Sequence, residues 1–99
     1  MKYKISIEAQ NDIENIWLYT FETWSLEQAD RYYDLIFDEI EFISKNPKSG
    51  KDYNDIRKGY YRSKVKSHYI FYKINQKEEE IEIVRILHQL MDIESRLYE

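Results

Sequence analysis

The chain has no cysteine, one proline, two glycines and two histidines. Without cysteine there is no disulfide and no thiolate metal site, which suits a reducing cytoplasm. Two histidines leave a zinc site dependent on carboxylates, so neither metal nor other cofactor is expected. Gly50 and Gly59 are too few and too far apart for a phosphate-cradling loop. No serine sits in an elbow-type nucleophile motif. No apolar run approaches the roughly 20 residues that span a bilayer. The opening MKYKISIEA is too polar for a secretory signal.

What remains reads as a single domain over residues 1–99, with 42% apolar and 16% aromatic side chains, enough for one modest core. The net charge of −4 hides a pattern. Residues 1–44 carry three basic and ten acidic side chains; residues 45–73 carry nine basic against Asp52 and Asp55. The middle of the chain could therefore steer an anionic partner, or its lysines could simply solvate a loop and an edge strand.

Tyr3, Ile5 and Ile7 alternate with polar residues, the period of a half-buried strand. Ser6 stands where a helix N-cap belongs, with Glu8 and Asp12 suited to the positive end of the helix dipole. Ile13, Ile16, Trp17, Thr20, Phe21 and Trp24 then mark one face of a helix over about 8–23. Ser25 with Gln28 forms a capping box, and Ala29, Tyr33, Ile36, Phe37, Ile40 and Ile43 stripe a second helix that stops at Asn46-Pro47. The short join predicts an antiparallel helical hairpin. Residues 61–66, 68–74 and 81–88 read as an antiparallel meander, followed by a short C-terminal helix or tail. The order β-α-α-β-β-β is an α+β sheet covered by the hairpin.

Strict alternation puts Arg62, Lys64 and Lys66 on one face of the first meander strand. It puts Arg85 among Ile81, Ile83 and Leu87, and His88 with Glu82, Val84 and Ile86. An arginine in an apolar row needs a carboxylate of its own chain or an anionic ligand. His88 ends its strand as a proton donor or acceptor, or as a packed cap. His68 opens a strand and is expected at the surface. Tyr32, Tyr33, Tyr69 and Tyr72 are expected to pack the core, while Tyr60 and Tyr61 could stack on bases or dock a peptide.

Five fragments then fall in a telling order: Ser6-x-x-Ala9-x-x-Asp12-Ile13-x-x-Ile16-Trp17, Ala29-x-x-Tyr32, Ile40 to Pro47, Tyr69 to Ile74, and Ile83-x-Arg85-Ile86-Leu87-His88-x-x-x-Asp92. Together they resemble the RelE/ParE superfamily of toxins from type II toxin–antitoxin modules, over nearly the whole chain. The resemblance implies a cognate antitoxin, with Trp17, Trp24, Tyr33 and Phe37 as its expected contacts, and leaves room for a homodimer of the free toxin. In the ParE branch the target is DNA gyrase, bound here through Arg62, Lys64, Lys66, Arg85 and His88. In the RelE and YoeB branches the activity is mRNA cleavage on the ribosome, for which Arg62, Arg85 and His88 would be the catalytic set. Ile70 stands where RelE-like nucleases carry a basic residue, and Gln89 where YoeB-like members carry tyrosine. Both departures favour the ParE branch. A third reading is an inactive module that binds the antitoxin in promoter autoregulation.

Overall fold

A computed structural model gives the architecture and describes residues 1–98. Strand β1 (Lys2–Ile5) leads into helix α1 (Ile7–Thr23) and helix α2 (Leu26–Lys45). Strands β2 (Lys51–Asp52), β3 (Tyr60–Val65), β4 (His68–Asn75) and β5 (Glu80–His88) follow, then helix α3 (Ile93–Leu97). The five strands form one sheet in the order β1-β5-β4-β3-β2. The β3-β4-β5 meander is antiparallel, β2 adds an antiparallel edge, and β1 joins β5 in parallel. The fold class is the α+β arrangement expected from the sequence, with β1 and β2 extending the meander to five strands.

Local chemistry places the helices. The Ser6 hydroxyl accepts from Ala9 N at 3.0 Å and donates to Val84 O at 2.8 Å. One side chain thus starts α1 and ties it to β5. Ser25 Oγ accepts from Gln28 N at 3.1 Å and starts α2 two residues after α1 ends. Ile36, Ile40 and Ile43 of α2 are at most 1% exposed and pack with Ile70, Tyr72, Ile81, Ile83 and Ile86. Each such burial contributes about 1.5–3 kcal/mol. Tyr33, expected in this core, is 43% exposed and packs on Phe37 with the rings tilted by 37°.

A second, smaller core lies on the other face of the sheet. Tyr60, Phe71, Leu87 and Leu97 build it, with Tyr53, Tyr69, Val84 and Ile93 at its margin. The C-terminal helix therefore covers the face that the hairpin leaves open. Tyr72 crosses toward the β2 end, donating to Pro47 O at 2.8 Å and accepting from Gly50 N at 3.1 Å. Gly50 is required there, because a Cβ would also fall 2.9 Å from Arg62 O.

Two departures from simple alternation matter for the site. Phe71 pairs with Arg85 but Tyr72 pairs with Ile83, so Val84 is an extra residue and β5 bulges. Ile81 and Ile83 face the hairpin, whereas Leu87 faces the second core and Ile86 the first. The expected rows Ile81-Ile83-Arg85-Leu87 and Glu82-Val84-Ile86-His88 are each broken in the middle, since one inserted residue reverses every side chain beyond it. Second, β3 and β4 are joined by a two-residue turn, and Lys66 takes φ +53° in it. Lys66 therefore leaves the strand face of Arg62 and Lys64.

Candidate functional site: two cationic environments on one sheet

β1 pairs with β5 only from Glu80 to Ile83, so the edge of β5 beyond Ile83 needs other partners. Helix α1 supplies them. Ser6 N reaches Ile83 O at 3.0 Å, Ser6 Oγ takes Val84 O, and Asp12 Oδ2 accepts from Ile86 N at 2.9 Å. The same Asp12 carboxylate holds Arg85, with Nε to Oδ2 at 2.9 Å and the NH2 nitrogen to Oδ1 at 3.1 Å. This is the two-toothed geometry in which arginine and carboxylate match best. The pair is mostly out of solvent, with side-chain exposures of 16% and 13%. The other terminal nitrogen of Arg85 donates to Arg96 O at 3.3 Å, so Arg85 also fastens α3. Of the two possibilities left by the sequence, the observed one is the intrachain ion pair. Asp12 was legible there only as a helix N-terminal charge.

Beside this pair, a groove of about 840 Å³ opens between the hairpin and the end of β5. Ile16, Tyr19, Trp24, Tyr32 and Leu35 give it apolar walls, and His68, His88 and Lys66 lie along its sheet side. Tyr32 Oη donates to Val65 O at 3.1 Å and meets His68 Nδ1 at 2.6 Å. The His68 and His88 rings stand edge to face, 5.1 Å apart. His88 Nδ1 accepts from Leu90 N at 3.1 Å, which caps the strand end. His68, expected at the surface, is half-buried under Tyr32. Burial, with the neighbouring His88 acting in the same direction and Asp12 opposing, lowers its pKa to about 4. It is therefore a neutral imidazole at physiological pH.

Trp24 lines the groove and is 68% exposed. Trp17, Tyr33 and Phe37 are not among the residues that line it. Trp17 stacks on Phe21 with centroids 5.3 Å apart and donates from Nε1 to Asp30 Oδ1 at 3.0 Å. Of the four residues expected to contact an antitoxin, Trp24 alone lines the groove.

The second environment is on the far face of β3. Arg62 lies over the Tyr69 ring at 4.2 Å and the Tyr53 ring at 5.3 Å, and Lys64 over Tyr69 at 5.7 Å. Lys51 pairs directly with Arg62 across the β2–β3 ladder and so shares this face. Arg57 lies over Tyr98 at 4.7 Å and Tyr60 at 5.7 Å. Among the described residues no carboxylate stands within ion-pair distance of Arg62 or Lys64. Tyr60 is buried, and Tyr61 is partly buried and stacks on Tyr72 on the hairpin side, away from Arg62 and Lys64.

Arg85 and His88 both line the groove, but Arg62 does not join them. Arg62 is on the far face over tyrosines, Arg85 is fastened to Asp12, and His88 pairs with His68 on the hairpin side. Lys66 lines the groove, apart from Lys64.

Residues 3–93 match the family described as ParE toxin of type II toxin-antitoxin system, parDE. A protein of Mycobacterium tuberculosis named Toxin ParE1 is 35% identical over 96 residues, 97% of each chain. A Caulobacter vibrioides protein of the same name is 35% identical over 95 residues, 96% of each chain. Toxin ParE of Escherichia coli is 27% identical over 95 residues, 96% of this chain and 91% of that one. A solved structure titled as the chromosomal ParDE TA system from P. aeruginosa superposes with a TM-score of 0.77 at 17% identity, covering 89% of this chain and 95% of that one; it supports the fold. The chain belongs to the ParE toxin family of type II toxin–antitoxin systems.

Proposed function

We propose that the chain is a growth-inhibiting toxin that binds DNA gyrase through the far face of β3 and is neutralised by a cognate antitoxin seated in the groove. The observation that carries the target site is Arg62 and Lys64 held over tyrosine rings with no carboxylate of their own. A cation left without a partner inside a domain this acidic is available to another molecule. Arg85 and His88 act differently in this reading. Arg85 keeps α1 and α3 docked, and His88 closes the end of the groove. Trp24 and Tyr19, the exposed aromatics of the groove, are the antitoxin's anchors. The test is a gyrase supercoiling assay with purified protein. Inhibition that is relieved by adding the antitoxin supports the proposal. Unchanged supercoiling at large excess of toxin removes gyrase as the target.

A further inference from the structure

The far face of the sheet has two halves with opposite electrostatics. On the β1–β5 side carboxylates stand among the cations: Lys4 lies 3.7 Å from Glu80 and Lys73 3.5 Å from Glu82, and Lys2 is the ladder partner of Glu80. On the β2–β3 side, Lys51, Arg57, Arg62 and Lys64 share their surface with tyrosine rings, and Asp52 points to the other face opposite Tyr61. Asp55, in the turn before Arg57, is the acidic residue this edge retains. Lys64 follows Arg62 by two residues along the strand, and Lys51 sits directly across from Arg62. The cations thus form a regular two-dimensional array fixed by strand spacing. The acidic helices lie on the opposite side of the sheet, so the molecule presents this array outward when it meets a polyanion.

From this array we infer that the β2–β3 face binds the phosphate backbone of duplex DNA without reading its sequence. Nothing on the face is built to read bases. The helix on this face, α3, is five residues long and is docked on the sheet through Ile93 and Leu97, so it is not a projecting reader of a groove, which leaves phosphate contacts as the mode available. A single strand is a poorer fit, because single-strand binders need open aromatic platforms. Here Tyr60 is buried and Tyr53 and Tyr69 already lie beneath Arg62. The inference goes beyond the gyrase proposal and does not require it: a duplex contact would be made alongside a protein contact when the target carries DNA.

The experiment is fluorescence anisotropy of a labelled duplex of arbitrary sequence, titrated with the purified full chain across a salt series. Binding is expected in the range of about 10⁻⁴–10⁻⁶ M, with a log–log salt slope of about −3 to −4 for roughly four neutralised phosphates. Arg62→Ala with Lys64→Ala should weaken binding by about tenfold or more and flatten the slope by about 2. Lys2→Ala with Lys4→Ala removes equal charge from the opposite edge and should leave binding nearly unchanged. Lys51→Gln with Lys64→Gln, both exposed, repeats the loss if the first pair unfolds. Absence of binding at about 50 mM salt overturns the inference. So does equal weakening by the edge pair, tighter binding to a single strand, or tighter binding to polyglutamate, which would point to an acidic protein surface. No gyrase is present, so this result and the supercoiling result fail independently.

Discussion

Arg62 and Arg85 occupy one cross-strand row, with Phe71 between them, yet they live in different chemistries. Arg85 is enclosed, doubly bonded to Asp12 and bonded again to Arg96 O. Arg62 lies on two tyrosine faces at the rim of the small core. A buried arginine whose carboxylate is its own is committed to the fold, because releasing it strands two charges out of water. An arginine resting on rings keeps its donors turned to solvent and can exchange water for a phosphate or carboxylate at little cost. The difference arises from the bulge at Val84 and from the open edge that Asp12 covers, not from the residue type.

The largest effect should come from cutting the enclosed pair. Asp12→Ala leaves both the Arg85 guanidinium and Ile86 N without their acceptor. It should destabilise the fold by about 3 kcal/mol or more in urea unfolding, whereas Arg62→Ala should cost under about 1 kcal/mol. Equal losses would erase the distinction between the two arginines. Next is the brace beneath the Arg62 face. Tyr72→Phe removes the bonds to Pro47 O and Gly50 N and should cost about 1–3 kcal/mol, read in the same unfolding series.

A smaller, pH-dependent effect belongs to the groove. His68 is neutral in the folded state down to about pH 4, while the unfolded chain takes up the proton near pH 6.5. The unfolded state therefore binds more protons between these values, and stability falls as pH drops from 6.5 toward 4. After discounting for solvent, the loss should be about 1–2 kcal/mol relative to a His68→Asn variant over the same range. Urea midpoints measured at several pH values check it; parallel curves for both proteins would contradict the buried neutral imidazole. The smallest effect should come from Lys64→Ala, which touches one exposed side chain over Tyr69 and should shift stability by less than about 0.5 kcal/mol.

Much of this frame was readable from residue order. Ser6 and Ser25 announced both helix starts because a hydroxyl before an apolar stripe has one common use, and both accept the expected backbone N–H. The meander followed from its alternation. What could not be read depends on pairing between distant strands. A bulge inserts a residue without any local signature, so the phase of Arg85 and His88 was unreadable. A two-residue turn at Lys66-Ser67 lacks the glycine or asparagine that usually marks one, so Lys66 looked like strand. Asp12 and Arg85 are 73 positions apart, and only the parallel placement of β1 brings the start of α1 to the edge of β5. Tyr32 and His68 meet for a similar reason.

The most direct test of the contrast between the two arginines is gyrase supercoiling titrated with the wild-type protein and with the Arg62→Ala/Lys64→Ala variant, both shown to have matching urea midpoints. The account predicts inhibition by the wild type and a loss of about tenfold or more in potency for the variant, the scale set by removing two charged contacts. Full inhibition by the equally stable variant would contradict it.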